Sequence, residues 1–287
     1  MISRRAQPWL GTLVEIVAEG ADDATLIAAS DRAFARIAAV HAQMSFQAAD
    51  SALSRVNRDA QHDWVTLSPD LAAVFAAALA FARASDGLFD PSVAGRLVES
   101  GQLPRHTGFP DATTTDWRGI ELDGDRVRYT QPLLVDLSGI AKGYAVDVAL
   151  TSLRDAGLAA ATVNAGGDLA RFGGATPIHV RLPQQPTQSV RLAELDHGAA
   201  ATSAGYFQPG ALRHPRSGEA LCAETSVTVL APDCMTADAL TKVVAADSAC
   251  AAGVLARHGA QAIVLDGQRA ICSDADGWHD LPAGGTA

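Results

Sequence analysis

The order of hydrophobic and polar positions predicts a strand and two helices in the first third of the chain. Thr12–Glu19 alternates apolar and polar side chains, as in a half-buried strand. Asp22–Met44 has apolar residues at helical spacing, and five of them share one face: Leu26, Ala29, Ala33, Ile37 and Val40. The residues Ser68-Pro69-Asp70 favour the start of a second helix, which we expect to end near Ser85-Asp86-Gly87.

The rest of the chain predicts strands and helices without regular alternation. Ile120–Thr130 contains Asp123-Gly124-Asp125 between two strand-like runs, which indicates a hairpin. Leu133–Leu137 predicts a strand that leads into a helix over Gly139–Ala156, and Gln184–Gln188 predicts a loop. Further strands are predicted at Ala160–Asn164, Ile178–Leu182, Ser189–Leu195, Ser226–Ala231 and Ala262–Leu265, and further helices at Cys234–Ala246 and Ala249–His258. This order favours an α+β fold of mixed or antiparallel sheets with packed helices. We expect one domain over residues 1–287, with an ordered core at about residues 8–281.

Composition and charge narrow the class of protein. A chain of 287 residues, 48% of them hydrophobic, can bury a core without disulfides or a structural metal. Its 22 Lys and Arg residues against 32 Asp and Glu residues give a net charge of −10, which argues against a general nucleic-acid binder. A local phosphate site stays compatible with this charge, above all where a divalent cation supplies the positive charge.

Cysteine spacing and hydropathy indicate the cellular compartment of the protein. The four cysteines contain no C-x-x-C pair, which favours buried free thiols in a reducing compartment over a zinc cluster or a disulfide framework: Cys222, Cys234, Cys250 and Cys272. Met1–Gly11 lacks the apolar run of a secretory leader, and the apolar run Leu71–Phe81 is too short to span a membrane. We therefore expect a cytoplasmic protein without a membrane span.

Four segments place glycine and polar residues in apolar surroundings: Gly87–Ser92, Asp136–Tyr144, Asn164–Asp168 and Ala237–Lys242. In the second, a strand runs into Ser138-Gly139 and a new helix, whose first turn offers free N–H groups and Lys142 to a phosphate. In the fourth, Asp238 and Thr241 lie one helical turn apart, so their oxygens could hold Mg²⁺. Each segment is also compatible with a plain turn, a surface lysine or an acidic residue at a helix start.

One of the eight histidines lies in a polar loop, where His214 precedes Pro215–Gly218. Imidazole can act as a general base near neutral pH, and arginine can contact phosphate. His214 and Arg216 are therefore candidates for a catalytic base and a phosphate-binding residue. The same loop is equally typical of a surface turn.

The order of these segments along the chain resembles the ApbE family, the FAD:protein FMN transferases. The resemblance runs from about Gly11 to about Leu265, and Asp136–Asp147 and Asn164–Asp168 are its specific parts. Further matching segments occur in the same order: Gly11-Thr12, Met44-Ser45, Asp50–Asn57, Gly87–Ser92, Thr202-Ser203, Pro215–Gly218, Ser226–Pro232 and Ala237–Leu240. The resemblance implies the α+β fold of that family.

It also implies an enzyme that cleaves the pyrophosphate of FAD with Mg²⁺, attaches FMN to a Thr or Ser of an acceptor protein and releases AMP. The implied FAD contacts are Met44, Leu88, Phe89, Asp90, Asp136 and Lys142, to which the glycine-rich block adds Asp168 and the polar loop adds Arg216. The implied metal ligands are Asp238 and the backbone carbonyl of Gly139, with Thr241 as a further candidate.

Two departures from the family pattern concern this chemistry. The family usually has a hydroxyl residue four positions after the metal-binding aspartate, but that position is Lys242 here and Thr241 comes one residue early. Either Thr241 substitutes for it, or Lys242 reduces the need for metal. The family usually has a catalytic histidine four residues before Pro215, where this chain has Ala211 in an altered loop over residues 206–215.

Three functions stay open at this point. The first is Mg²⁺-dependent transfer of FMN from FAD to a protein hydroxyl, with His214 as the base that replaces the missing histidine. The second is an FAD pyrophosphatase that yields FMN and AMP. The third is a non-catalytic FAD-binding protein. For His214 itself, the alternative to a base is that it fills the place of the family's turn aspartate and caps a backbone N–H group.

Overall fold

The computed structural model describes residues 1–20, 22–183, 185–204, 213–221, 224–266, 269–274 and 277–281. Their helices and strands, in chain order, are β1 (Ile2–Trp9), β2 (Thr12–Glu19), α1 (Asp23–Met44), α2 (Ala52–Asp59), β3 (Val65–Thr66), α3 (Pro69–Ala84), α4 (Ala94–Glu99), β4 (Ile120–Asp123), β5 (Arg126–Tyr129), α5 (Ser138–Asp155), β6 (Ala160–Ala165), β7 (Asp168–Phe172), β8 (Thr176–Leu182), β9 (Gln185–Leu195), β10 (Gly198–Ala204), β11 (Thr225–Ala231), α6 (Cys234–Ala246), α7 (Ser248–Arg257), β12 (Gln261–Asp266), β13 (Arg269–Asp274) and β14 (Gly277–Asp280).

A large antiparallel sheet organises the described part of the chain. Its nine strands follow the order β1-β2-β6-β7-β10-β11-β12-β13-β14, and every neighbouring pair is antiparallel. A smaller antiparallel sheet has the order β3-β5-β4, and β8 pairs with β9 as a separate ribbon. Antiparallel sheets with helices outside a regular strand–helix alternation confirm the predicted α+β class.

Three helices, α1, α5 and α6, pack against the large sheet and form a hydrophobic core with it. The helix α5 packs against α1 and α6, while α6 also packs against β10 and β11. The predicted apolar face of α1 is buried as expected, with Leu26 and Ile37 fully inaccessible to solvent. These residues join Ile16 of β2 and Val146 and Leu153 of α5 in one hydrophobic cluster. The site described below lies where α5 and α6 meet.

Side-chain caps fix the predicted helix starts. The carboxylate of Asp22 accepts the N–H of Thr25 at 2.8 Å, so α1 begins at Asp23. Ser68 caps α3 in the same manner, and Pro69 occupies its first position. The predicted hairpin forms between β4 and β5. Cap and turn residues at the expected positions explain why these boundaries were predictable.

The strand predicted over Leu133–Leu137 does not form. Only Leu134 makes a bridge, a parallel one to Val93. The neighbouring Val135 is bound instead by the side chain of Asn57, whose Nδ2 donates to the Val135 carbonyl and whose Oδ1 accepts the Val135 N–H, each at 2.8 Å. The buried side-chain amide thus satisfies the backbone N–H and carbonyl of Val135, as a neighbouring strand would in a sheet.

The loop predicted over Gln184–Gln188 is also corrected. Residues 185–188 belong to β9, which pairs with β8 through two register shifts. Polar side chains indicated a loop, but the backbone hydrogen bonds between β8 and β9 do not depend on apolar residues at these positions. Gln184 itself and the tail after Leu281 lie outside the described residues.

Some strands lack a recognisable sequence pattern, and β10 is an example. Its sequence, GAAATSA, consists of small residues with little preference for strands. Nevertheless it pairs with both β7 and β11, and Ala199 and Ala201 are fully buried. Small residues suit this position because α6 packs closely over the strand.

The described cysteines are free thiols in three different environments. Cys234 is buried as predicted, but Cys250 is exposed and Cys272 is half-buried. Cys222 lies outside the described residues. Among the described residues, the helices are too short or too polar to cross a bilayer.

Candidate functional site

A cleft of about 1440 Å³ opens where the large sheet, α5 and the loops after α1 and α3 come together. Most of the predicted site residues line it: Met44, Leu88, Phe89, Asp90, Asp136, Gly139, Lys142 and His214. Three others, Asp168, Asp238 and Thr241, are buried behind its wall. Arg216 lies to one side, where its guanidinium binds the side chain and carbonyl of Asp86 at 3.0 and 2.7 Å.

Two carboxylates in the cleft wall are held by short turns. Asp90 Oδ1 accepts the N–H and hydroxyl of Ser92 at 2.8 and 2.6 Å. Asp136 Oδ1 accepts the N–H of Ser138, the first residue of α5, at 3.1 Å. Burial raises the pKa of both carboxyl groups, because an apolar wall disfavours their charged forms.

Lys142 forms an ion pair with Asp168 on the neighbouring strand. Its ammonium donates to Asp168 Oδ2, and the carboxylate is 1% exposed while the lysine side chain is 28% exposed towards the cleft. Burial disfavours the charge of Lys142, but the attraction of Asp168 and Asp238 outweighs this effect and raises its pKa. Lys142 is therefore a permanently charged group at the cleft wall.

A second ion pair joins Asp238 and Lys242, four residues apart on α6. The ammonium of Lys242 donates to Asp238 Oδ1, and Asp238 Oδ2 accepts the N–H of Gly143 on α5 at 3.1 Å. Burial opposes the charge on Asp238, but Lys242 and Lys142 overcome this effect and lower its pKa. With Lys142 and Asp168, the site thus holds two cations against two anions.

Hydroxyl groups complete the surroundings of Lys242. Its Nζ lies 3.0 Å from Ser203 Oγ and 3.1 Å from Thr241 Oγ1. Thr241 donates its hydrogen to the backbone carbonyl of Asp238 at 2.7 Å. Ser203 must then donate to Thr241, from which it is 2.7 Å away. These bonds fix Lys242 from β10 and from its own helix.

The close approach of α5 and α6 depends on Gly143. A methyl group built at this position would lie 2.3 Å from the carbonyl oxygen of Cys234 and 2.8 Å from Cα of Met235. No side chain can be accommodated there without moving α6. The absence of a Cβ lets the Gly143 N–H reach Asp238.

The predicted metal ligands do not fit a divalent cation in this arrangement. Asp238 is fully buried, and both of its oxygens already bind N–H groups. Thr241 Oγ1 has its hydrogen and both lone pairs engaged. The described residues also contain no cluster of three or more His, Cys, Asp or Glu side chains that could hold a metal ion. The magnesium site stays a prediction.

His214 lines the cleft, but its imidazole is used within its own turn. Its Nδ1 accepts the N–H groups of Arg216 and Ser217, each at 3.2 Å. A neutral imidazole that accepts through Nδ1 carries its hydrogen on Nε2. This arrangement corresponds to the turn-capping alternative. Ala211, at the position of the family's usual histidine, lies outside the described residues.

Sequence reasoning assigned no role to Asp147 and Gly143, although both help to assemble the site. Asp147, on α5, accepts the N–H groups of Cys234 and Met235 at the start of α6. No local pattern announces this contact, because the partners are 87 and 88 residues apart. The pair of Asp238 and Lys242 is different, since a spacing of four residues on a helix is itself a signal for an ion pair.

Comparisons with known proteins agree with this architecture. The family model described as "ApbE family" matches residues 10–264. An FAD:protein FMN transferase from Vibrio cholerae is 32% identical over 252 residues, which cover 77% of this chain and 72% of that protein. Its counterpart from Haemophilus influenzae is 29% identical over 256 residues, with 77% and 74% coverage.

Solved structures give the same result. The flavin transferase ApbE from Vibrio cholerae superimposes with a TM-score of 0.77 at 26% identity, covering 98% of this chain and 96% of that one. The ApbE protein from Thermotoga maritima gives a TM-score of 0.78 at 25% identity, covering 92% and 94%. Because the family model spans most of the chain and the fold agrees throughout, this protein belongs to the ApbE family.

Proposed function

We propose that this protein transfers FMN from FAD to a Thr or Ser hydroxyl of an acceptor protein and releases AMP. The observation that carries the proposal is the pair of lysines at the cleft. Lys142 and Lys242 both line it, and each is bound to a buried carboxylate that holds it in place. Two fixed cations in a cleft are suited to a diphosphate.

The size and lining of the cleft support a dinucleotide as substrate. Its volume of about 1440 Å³ exceeds the roughly 300–1,000 Å³ of ordinary small-molecule pockets. Its lining combines the apolar side chains of Met44, Leu88 and Phe89 with the charged side chains of Lys142 and Lys242. An aromatic ring system and a charged diphosphate in one ligand match this combination.

The reaction needs few protein groups. The acceptor hydroxyl oxygen attacks the phosphorus of the FMN half, and the bond from that phosphorus to the AMP phosphate oxygen breaks. AMP leaves with the bonding electron pair, and the hydroxyl proton passes to solvent. Lys142 and Lys242 stabilise the negative charge that grows on the leaving phosphate, and phosphoryl transfer depends mainly on such positioning and neutralisation.

The proposal places this reaction in the cytoplasm and gives the protein an acceptor there. Cys234, Cys250 and Cys272 are free thiols, which supports a reducing compartment. The relatives from Vibrio cholerae and Haemophilus influenzae carry the name FAD:protein FMN transferase, which supports a protein as the second substrate.

A non-catalytic FAD-binding protein is the second candidate. It is favoured by the imidazole of His214, whose Nδ1 is occupied by two backbone N–H groups and is not available to a substrate hydroxyl. Ala211 at the family's usual histidine position points the same way. An FAD pyrophosphatase, in which water replaces the protein hydroxyl, would use the same cations.

One experiment separates the three functions. Purified protein is incubated with FAD, with and without an extract of its source cells, and AMP release and flavin fluorescence on denaturing gels are measured. Transfer gives AMP and a fluorescent protein band only with extract, and a pyrophosphatase gives AMP without it. Binding of FAD with no AMP in either case contradicts the proposal. Lys142→Gln serves as the site variant and Arg4→Gln, a change in an exposed ion pair, as its control.

A further inference from the structure

The ammonium group of Lys242 binds Asp238 and Thr241, two of the three residues that the family resemblance implies as magnesium ligands. We propose that Lys242 is a built-in replacement for the divalent cation, so that this protein binds the diphosphate of FAD without metal. The inference rests on the proposed function for the identity of the ligand. It concerns only this chain's own residue at the fourth position after Asp238.

Two of the three implied metal ligands, Asp238 and Thr241, bind the Lys242 ammonium group, and the third, Gly139, lies beside its aliphatic part. Its Nζ donates to Asp238 Oδ1 and to Thr241 Oγ1, the latter at 3.1 Å. Its aliphatic part crosses Gly139, where a methyl group would lie 3.4 Å from Cε and 3.7 Å from Cγ of the lysine. The lysine therefore binds both side chains that were expected to share a metal and passes beside Gly139.

The hydrogen bonds of the ammonium group are complete. A lysine has three N–H donors, and Lys242 directs them at Asp238 Oδ1, Ser203 Oγ and Thr241 Oγ1. Oxygen atoms of a carboxylate and of hydroxyl groups are also the ligands that Mg²⁺ selects. The same oxygen atoms thus bind a cation that is part of the protein chain.

A metal ion would have to displace this lysine. The Lys242 side chain is 20% exposed and Asp238 is fully buried, so the lysine cannot leave unless the metal ion takes its place beside the buried carboxylate. A divalent cation beside the ammonium would be repelled by it at contact distance. Mg²⁺ also loses its bound water reluctantly, whereas the lysine is already desolvated and bonded.

The two ion pairs bear on FAD because they hold both ammonium groups at the cleft. Asp168 fixes Lys142 and Asp238 fixes Lys242, so two positive charges face the cleft without any added ion. Replacing Lys242 by threonine would remove one positive charge and supply a hydroxyl at the position usual in the family. Such a variant should need a divalent cation to recover the lost charge.

The wild-type protein provides the first test. Mn²⁺ alone is titrated into protein without FAD and followed by electron paramagnetic resonance, and FAD affinity is measured with EDTA and with Mg²⁺. We expect no Mn²⁺ binding at millimolar concentration and the same FAD affinity in both buffers. Stoichiometric Mn²⁺ binding, or clearly tighter FAD binding with Mg²⁺, overturns the inference.

The second test uses Lys242→Thr and its matched control Lys242→Met, which lacks both charge and oxygen. Folded Lys242→Thr should bind Mn²⁺, and its FAD affinity should rise roughly five- to 150-fold with Mg²⁺, the usual range for coupled ligands. Lys242→Met should lose FAD affinity without responding to metal. If folded Lys242→Thr does not bind Mn²⁺, the inference that lysine replaces a metal ion is contradicted. If neither variant folds, the wild-type titrations decide.

The two proposals fail in different ways. Wild-type protein that binds FAD neither with EDTA nor with Mg²⁺ contradicts the proposed function. The Mn²⁺ titration contains no FAD, so it still decides whether Lys242 excludes a divalent cation.

Discussion

The carboxylate of Asp147 on α5 holds the first residue of α6, Cys234, by accepting its backbone N–H at 2.8 Å. The other carboxylate oxygen accepts the N–H of Met235 at the same distance. Two of the N–H groups that a helix start leaves without partners inside the helix are thereby satisfied by a neighbouring helix. The contact sets the position of α6 and of the site residues that it carries.

Stability should depend on pH through this residue. Burial raises the pKa of Asp147 from 3.8 to about 7, against the lowering effect of its two hydrogen bonds. Between about pH 4 and pH 7 the folded protein therefore holds a proton that the unfolded chain has released, and the free energy of unfolding falls as pH rises through this window. We expect a loss of about 1–3 kcal/mol from this group.

Urea unfolding at about pH 5 and about pH 8, for the wild type and for Asp147→Asn, measures this contribution. The variant does not titrate at position 147, so its stability should change less between the two conditions. Equal changes in both proteins would assign the pH dependence to other groups.

Gly143→Ala should destabilise the protein and weaken FAD binding together. The new methyl group would meet the Cys234 carbonyl oxygen at 2.3 Å, a backbone atom that moves only with α6. Overpacking of this kind costs about 1–3 kcal/mol. Gly253→Ala is the matched control, because Gly253 lies in α7 with nothing within 4 Å of the added group, and it should stabilise by about 0.5–1 kcal/mol. Equal unfolding midpoints for the two variants would contradict the close helix contact.

His214→Asp should keep both FAD affinity and AMP release. An aspartate at this position can accept the N–H groups of Arg216 and Ser217 as the imidazole does. A general base would behave differently, since its loss typically costs about 10²–10⁴-fold in rate. Initial rates and FAD affinities of His214→Asp and His214→Ala distinguish the two roles. A loss of about a hundredfold in both variants, with affinity unchanged, would restore His214 as the base.

Asp238→Asn should be far more damaging than a similar change at the surface. It leaves Lys242 without its buried anion, and breaking a buried pair costs about 3–5 kcal/mol. Asp31→Asn is the control, because Asp31 pairs with Arg5 while 57% exposed, and exposed pairs contribute about 0–1 kcal/mol. Urea midpoints measure both, and similar values for the two variants would show that the Asp238 pair is solvated.

The helices of this protein were predictable where local chemistry decides them. Asp22 and Ser68 cap α1 and α3 within three residues of the bonds they make, so the signals and their effects are adjacent in the chain. The Leu133–Leu137 strand was wrong for the opposite reason. Its apolar pattern correctly indicated burial, but the partner of Val135 is an amide from 78 residues earlier.

Some features of the site were predictable from the sequence and others were not. The order of the segments and the family resemblance that it carries led to Lys142 and Asp136 at the cleft and to Asp238 behind its wall. They did not reveal that Lys142 pairs with Asp168, because that contact joins a helix to a strand 26 residues away. The occupation of Asp238 by Lys242 was accessible in principle from their spacing of four residues, but the competing expectation of a metal assigned the aspartate elsewhere.

The bond from the Gly143 amide to the Asp238 carboxylate also gives the assembled site a single-atom reporter. The Gly143 N–H lies within α5 and donates to a buried carboxylate of α6, so its exchange with deuterium is slowed while the two helices stay in contact. A change in its exchange rate relative to the rest of α5 therefore reports on the separation of α5 from α6. Loss of protection at this one glycine, with the rest of α5 unchanged, would show that α6 has moved away from α5. The Asp238–Lys242 pair on α6 would then no longer lie beside the Lys142–Asp168 pair.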